Sequence, residues 1–108
     1  MYINLKFTMK NVAIIMGGYS SEYKISLTSG NVVFNNINRS KFNPYRIHIF
    51  KEKWVYVDEN DAEFPVDKND FSVNVNGTRT KFGAVLIGIH GTPGEDGKLQ
   101  GYFDLLNL

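Results

Sequence analysis

Residues 11–22 read NVAIIMGGYSSE and set the architecture of the chain. Residues 11–16 form a short apolar run without alternation, which is typical of a β-strand buried on both faces of a sheet. Gly17 and Gly18 end this strand and permit a tight turn. Apolar residues then recur at helical spacing as far as Ile37, so the stretch predicts a strand, a glycine turn and a helix.

The predicted helix begins at about residues 20–26 and ends at Ile37. Several serines precede it, and any of them can cap its first turn. Ser29 and Gly30 are small, which predicts a close approach of the helix to the sheet. The residues expected to face the sheet are Ile25, Ser29, Val32, Val33 and Ile37.

The rest of the chain predicts further strands and a second helix. Strands are expected at residues 45–50, 54–57, 71–75, 78–82 and 84–89, a surface loop at 58–70, and a helix at 99–106 capped by Asp96. Asn76-Gly77 predicts a two-residue hairpin, because both positions need positive φ. The order predicts an α/β fold: an open, mostly parallel sheet flanked by helices, Rossmann-like, with a small antiparallel hairpin decoration.

Composition narrows the class of protein. The 108 residues are 43% hydrophobic and 21% charged, which fits one globular domain and argues against disorder. A formal net charge of +1 disfavours a polybasic surface for nucleic acid or membrane. No apolar run approaches the ~20 residues of a membrane span. The absence of cysteine is compatible with a reducing, cytoplasmic location.

The first loop, residues 17–22, offers one charged side chain. It leaves the carboxyl end of a strand, the edge at which open α/β sheets bind ligands. Glu22 places a carboxylate there, which suits a ligand with an ammonium group. The alternative is that Gly17 and Gly18 only make the turn and that Glu22 stabilises the helix dipole. The phosphate-binding patterns GxGxxG and GxxxxGK[ST] do not occur.

The second loop, residues 90–97, reads HGTPGEDG and also follows a predicted strand. Gly91 and Gly94, with the proline between them, indicate a shaped loop. His90 is expected at the strand tip beside the first loop, or else as a structural histidine. Two loops at one sheet edge predict a shared site.

Other side chains are expected to be structural. Glu95 and Asp96 are predicted to be solvated or capping residues, and no metal site is predicted, because adjacent carboxylates on a turn rarely reach one ion. His48 lies mid-strand. Trp54 and Tyr56 could form a nucleic-acid platform, but the sequence offers no basic groove beside them.

Residues 12–22, 25–30 and 90–101 resemble the D-alanine–D-alanine ligase family of the ATP-grasp superfamily. The pattern HGxxGEDGxxQG in the last stretch is the most specific. The resemblance covers residues 11–108 and is weakest at 51–82. It implies the N-terminal domain of a three-domain enzyme, whose central and C-terminal domains bind ATP and Mg²⁺. Residues 1–10 are expected to be a leader, with Met9 as a possible natural start.

The resemblance also implies roles for individual residues. Family members phosphorylate the carboxylate of one D-alanine with ATP, and the amine of a second D-alanine attacks the acyl phosphate, which supplies peptidoglycan precursors. Glu22 matches the glutamate that accepts the ammonium of the first D-alanine. Ile25 matches an apolar position in that pocket, and His90 matches a nearby histidine. Ser21 stands where alanine is common.

These implications leave alternatives open. A D-alanine–D-lactate or D-alanine–D-serine ligase would differ at the second-substrate site, and a non-catalytic α/β module would keep only the fold. The resemblance further implies a cytoplasmic homodimer that binds D-alanine, with no ATP site on residues 1–108 and no activity of these residues alone.

Overall fold

The computed structural model describes residues 9–89, 93–94 and 96–108. Their elements, in chain order, are β1 (Lys10–Gly17), α1 (Tyr23–Asn36), β2 (Phe42–Ile49), β3 (Trp54–Val57), β4 (Glu63–Asp67), β5 (Ser72–Val75), β6 (Thr78–Thr80), β7 (Ala84–Ile87) and α2 (Lys98–Leu105). Within the described residues the strands form one seven-stranded sheet in the order β6-β5-β4-β3-β2-β1-β7.

The sheet is mixed, so the predicted α/β class is right and the prediction of a mostly parallel sheet is wrong. β1 pairs in parallel with β2 and β7, whereas β2 to β6 pair antiparallel with each successive neighbour. The physical reason is connection length, because only a crossover of a dozen or more residues joins adjacent parallel strands. The turns between β2 and β6 are shorter, so they reverse the chain.

β4 was expected to be surface loop and is instead a strand that links two halves of the sheet. Glu63, Phe64 and Pro65 pair with β3, whereas Val66 and Asp67 pair with β5. Pro65 cannot donate to a ladder, and it occupies the half of the strand that does not pair with β5. This switch of partner curls the antiparallel part of the sheet.

The two helices pack on opposite faces of the sheet. Along β1, Ala13 and Ile15 belong to a large hydrophobic cluster that includes Leu99 and Phe103 of α2. The alternate residues of β1 join a smaller cluster on the α1 side, and they are Val12, Ile14 and Met16. Burial on both faces confirms the prediction made from the apolar run.

α1 approaches the sheet through small residues, and the predicted apolar face is wrong in large part. The buried residues of α1 are Ser26 and Gly30. A Cβ on Gly30 would lie 2.7 Å from Met16 Cβ, so glycine permits the close approach. Of the residues expected to face the sheet, Ser29, Ile25, Val32 and Val33 are exposed, whereas Ile37 is partly buried.

The predicted hairpin is confirmed. Asn76 has φ 52° and Gly77 has φ 89°, as a two-residue turn between β5 and β6 requires. The Gly77 N–H donates to Asn74 Oδ1 at 2.8 Å. Among the described helices, none is long and apolar enough to cross a membrane.

Candidate functional site

The first loop leaves β1 in a conformation that requires glycine. Gly17 has φ 102° and Gly18 has φ 107°, both in the region that L side chains rarely adopt. The Gly18 N–H donates to the carbonyl oxygen of Ile49 at 2.7 Å. A Cβ on Gly17 would lie 3.0 Å from the same oxygen. The chain therefore turns tightly at the strand end, against the end of β2.

A single buried hydroxyl joins this turn to the end of β7. Ser26 Oγ accepts a hydrogen bond from the Gly17 N–H at 3.0 Å and donates to the Gly88 carbonyl oxygen at 2.6 Å. Ser26 itself is fully buried. One side chain of α1 thus ties the carboxyl ends of β1 and β7, which adjoin through the pair Ile15 and Ile87.

Sequence reasoning missed this role of Ser26, which was expected only near the start of the helix. The available signal was a serine one helical turn before Gly30 on the same side of the helix. Two small residues at that spacing indicate a face that packs closely, and a buried hydroxyl on such a face needs partners.

Glu22 and Ile25 lie together at the first turn of α1. Glu22 is the N-cap residue, and its carbonyl oxygen accepts the Ser26 N–H at 3.2 Å. Its own N–H donates to Ser20 Oγ at 3.1 Å. The carboxylate makes no capping hydrogen bond and is exposed, and Ile25 is 55% exposed. An acid at this position gains from the helix dipole, and its oxygens can accept hydrogen bonds from a cation.

The second loop is anchored where it is described. Pro93 and Gly94 are buried, and a Cβ on Gly94 would lie 2.7 Å from Ile89 Cβ, which leaves no room for a side chain. Gln100 Nε2 donates to the Gly94 carbonyl oxygen at 2.6 Å. The Leu99 N–H donates to the Pro93 carbonyl oxygen at 3.1 Å. The loop therefore packs on the start of α2.

Three predicted residues of this loop, His90, Gly91 and Glu95, lie outside the described residues. Asp96 is described, and its Oδ1 accepts the Lys98 N–H at 3.2 Å. The N-cap residue of α2 is Gly97, so the expectation that Asp96 itself caps the helix is wrong by one residue. The strand end that precedes His90 in the chain adjoins the first loop through Ser26. The expectation of a shared site for Glu22 and His90 remains a prediction.

A cleft of about 460 Å³ lies on the β2 side of the first loop. Its lining residues are Gly18, Tyr19, Ser20, Ser21, Tyr23, Phe50, Lys51 and Glu52. Glu22 and Ile25 are not among them, so they do not face the cleft. The Trp54 indole N–H donates to the Tyr19 hydroxyl at 3.1 Å and fixes the loop tip against β3.

His48 is a structural residue, as its mid-strand position predicted. Its ring packs edge-on against Phe50, and Nε2 is buried with no hydrogen-bond partner among the described residues. Burial is the main cause that lowers the pKa of His48 below 6.5, followed by the positive charge of Arg46. The imidazole is therefore neutral near pH 7.

The aromatic residues considered as a nucleic-acid platform belong to packed clusters. Trp54 contacts Phe71 and Tyr102 edge-on, and Tyr56 stacks on Phe64 with centroids 5.7 Å apart. Within the described part of the chain, no three His, Cys, Asp or Glu side chains are grouped to hold a metal ion.

The family model for the D-ala D-ala ligase N-terminus matches residues 11–108. The chain belongs to this family. The match confirms the resemblance found in the two loops.

Proteins of similar sequence are named D-alanine–D-alanine ligases. The chain is 69% identical to the D-alanine–D-alanine ligase of Flavobacterium johnsoniae over 100 residues, which cover 93% of this chain and 31% of that protein. It is 46% identical to the D-alanine–D-alanine ligase of Christiangramia forsetii, covering 92% of this chain and 30% of that one. The chain thus spans about a third of the length of these relatives.

Solved structures share the fold. D-alanyl-alanine synthetase A of Vibrio cholerae superposes with a TM-score of 0.79 at 30% identity, covering 94% of this chain and 30% of that one. The VanG D-Ala:D-Ser ligase of Enterococcus faecalis superposes with a TM-score of 0.77 at 31% identity, covering 94% of this chain and 35% of that one. The two neighbours differ in their named second substrate, so the fold alone does not distinguish these ligases.

Proposed function

We propose that this chain is the N-terminal domain of a D-alanine–D-alanine ligase and forms the wall that binds the first D-alanine. The supporting observation is the Ser26 bridge, which holds the Glu22 end of α1 against the end of β7. His90 follows that strand end by two residues in the chain. Rigid positioning of substrate groups is a large part of what such a site contributes to rate.

Glu22 has the chemistry that this role needs. Its exposed carboxylate accepts charge-assisted hydrogen bonds from the substrate ammonium, which are shorter and stronger than neutral ones. With the ammonium held, the substrate carboxylate turns toward the remainder of the ligase. Ile25, one turn along α1, offers an apolar surface to the D-alanine methyl group. His90 is proposed to lie near the same substrate.

ATP and Mg²⁺ are proposed to bind the domains of the full-length ligase that this chain does not contain. The residues described here do not fit that role, because the start of α1 presents a carboxylate, which repels a triphosphate. They also contain no grouped set of metal-ligating side chains. We therefore assign no step of phosphoryl transfer to this chain, and we expect residues 1–108 alone to be inactive and not to bind ATP.

A D-alanine–D-serine ligase is the second candidate function. The observation in its favour is that the chain is 31% identical to VanG, about as similar as it is to the Vibrio cholerae enzyme, to which it is 30% identical. The homodimer, the supply of peptidoglycan precursors and the cytoplasmic location are predictions that follow from either ligase.

The test uses a chimera in which residues 11–108 replace the matching segment of the Flavobacterium johnsoniae ligase. Phosphate release and dipeptide formation are measured with D-alanine and ATP. Glu22→Gln keeps the shape and removes the charge, and Glu59→Gln on an exposed turn is the matched control. Loss of a hydrogen bond to a charged group costs roughly 1.5–3 kcal/mol, so KM for the first D-alanine should rise by about 10- to 100-fold.

Three results would count against the proposal. A folded chimera that forms no dipeptide would oppose a ligase role for this chain. Equal kinetics for Glu22→Gln and Glu59→Gln would remove Glu22 from the site. A clear preference for D-serine as second substrate would favour the second candidate if the Flavobacterium johnsoniae parent prefers D-alanine.

A further inference from the structure

The turn between β5 and β6 contains the sole Asn-Gly pair of the sequence, Asn76-Gly77. Both residues are exposed to solvent. An asparagine followed by glycine is especially prone to spontaneous deamidation, because glycine has no side chain to shield its amide nitrogen and leaves the backbone free to rotate. The reaction needs no enzyme, so the local structure of the turn decides how fast it proceeds.

Deamidation proceeds through a cyclic imide. The Gly77 nitrogen attacks Cγ of Asn76 and gives up its proton. A bond forms between these two atoms, and the bond from Cγ to Nδ2 breaks, so that ammonia leaves with the proton. Water then opens the imide at either of its carbonyl groups and gives aspartate or isoaspartate at position 76. Either product adds one negative charge and lowers the formal net charge of the chain from +1 to 0.

The backbone of the folded turn opposes the first step. Asn76 has φ 52° and Gly77 has φ 89°, as in a type I′ turn. Residues in the left-handed region have ψ of about +47°, which places the following nitrogen and the residue's own Cβ on opposite sides of the Cα–C bond. The Gly77 nitrogen is therefore unable to reach Cγ of Asn76 until the turn opens.

The side chain of Asn74 adds a second restraint. The Gly77 N–H donates to Asn74 Oδ1 at 2.8 Å. This hydrogen bond holds the proton that the attacking nitrogen has to lose, and it fixes the plane of the Gly77 peptide. Asn74 lies on β5 and pairs with Arg79 of β6. The strand that precedes the turn thus carries the group that restrains the reactive amide.

β6 is fastened weakly enough for the turn to open. It has three residues, and among the described strands it pairs with β5 alone. Arg79 forms an ion pair with Asp70 at 2.6 Å, but the Arg79 side chain is 57% exposed, and exposed ion pairs stabilise little. Short edge elements open locally at a low free energy. We therefore expect deamidation in the folded chain to follow the opening of this hairpin.

We propose that Asn76 is a deamidation site and that the left-handed turn and the Asn74 side chain keep its reaction slow in the folded chain. Isoaspartate inserts one extra carbon into the backbone, so a two-residue turn no longer fits between β5 and β6. The product then loses the pairing of Asn74 with Arg79. This inference is independent of the proposed ligase function, because no residue of the candidate site takes part.

Peptide mapping by mass spectrometry tests the proposal during storage at mildly alkaline pH. It is applied to the 108-residue chain and to the chimera with the Flavobacterium johnsoniae ligase. Conversion at position 76 should be at least about tenfold slower in the folded chain than in the chain unfolded in urea. Asn74→Ala should speed conversion in the folded chain by about 2- to 10-fold, the factor that corresponds to one lost hydrogen bond.

Two variants serve as controls. Asn74→Asp keeps an oxygen acceptor for the Gly77 N–H, so its conversion should be no faster than that of the unaltered chain. Asn60→Ala makes the same substitution on an exposed turn outside the hairpin and should leave the rate unchanged. The Gly77 amide proton gives a measurement without any variant, because its hydrogen bond predicts slower deuterium exchange in the folded chain than in the unfolded chain.

Equal conversion in the folded and unfolded chains would overturn the proposal, because the turn would then give no protection. Equal conversion in Asn74→Ala and Asn60→Ala would overturn the part assigned to Asn74. If Asn74→Ala does not fold, the Gly77 amide decides the same point, and exchange as rapid as in the unfolded chain would contradict the hydrogen bond to Asn74.

Discussion

Replacing Ser26 with alanine should destabilise the domain more than the same substitution at any other described serine. Ser26 is fully buried, and its hydroxyl is the partner of two backbone groups, the Gly17 N–H and the Gly88 carbonyl oxygen. Alanine keeps the helix but removes the hydroxyl, so both backbone groups lose this hydrogen-bond partner. Each buried polar group left unsatisfied costs about 1–3 kcal/mol. Partial relaxation of the strand ends reduces the sum, so we expect a loss of about 2–4 kcal/mol.

The assay is urea unfolding of the 108-residue chain followed by circular dichroism. The urea concentration at the unfolding midpoint should fall. The slope of the unfolding free energy against urea concentration should stay constant, because the surface exposed on unfolding does not change. Ser29→Ala is the matched control, since Ser29 is exposed in the same helix. Its effect should stay within about 0.5 kcal/mol. If Ser26→Ala is as stable as Ser29→Ala, the reasoning is refuted, because the bridge would then add nothing to the coupling of the two strand ends.

Three further predictions concern other described positions. Gly94→Ala should cost about 1–3 kcal/mol in urea unfolding through overpacking, whereas Gly101→Ala, with open space around it, should be neutral or slightly stabilising. The folded pKa of His48 is lowered, so its contribution to stability is complete above the unfolded value of 6.5 and is lost as pH falls below it. His48→Phe should make the unfolding free energy depend less on pH between about pH 5 and pH 7, the range in which histidine ordinarily titrates. The Ser72 hydroxyl, and then Arg79, lower the pKa of Asp70 to about 2, so NMR titration should find that value and a higher one in Arg79→Ala.

Each of these predictions has a contrary result. Equal stability of Gly94→Ala and Gly101→Ala would contradict the close packing of the second loop. An unchanged pH profile in His48→Phe would assign the titration to another group. An Asp70 pKa near 3.8 that Arg79→Ala does not alter would contradict the hydrogen bonds found around this carboxylate.

Local signals in the sequence predicted the elements whose structure depends on few residues. The apolar run before Gly17 predicted a strand buried on both faces, and Asn76-Gly77 predicted the hairpin turn. β4 was missed because Pro65 and its acidic neighbours are typical of loops. A proline is acceptable there because the two halves of the strand pair with different neighbours. That pairing depends on the tertiary fold, so no local sequence pattern predicts it.

The face of α1 was missed for a related reason. Hydrophobic periodicity selects large side chains, whereas this helix packs through Ser26 and Gly30. Large apolar residues such as Val33 then line a surface that the described residues leave open. The position of Glu22 at the helix start followed from its place after the glycine turn. The Ser26 bridge depends on Gly88, 62 residues further along the chain, and no local pattern encodes that contact.

The hydrogen bond from Trp54 to Tyr19 gives the antiparallel half of the sheet a part in the site. Trp54 of β3 holds the tip of the first loop through its indole N–H. Local opening of β3 would release that grip without disturbing β1 or α1. Changes in the sequence of this region would thus adjust how stiffly the loop is held, while every residue proposed to touch the substrate stays the same.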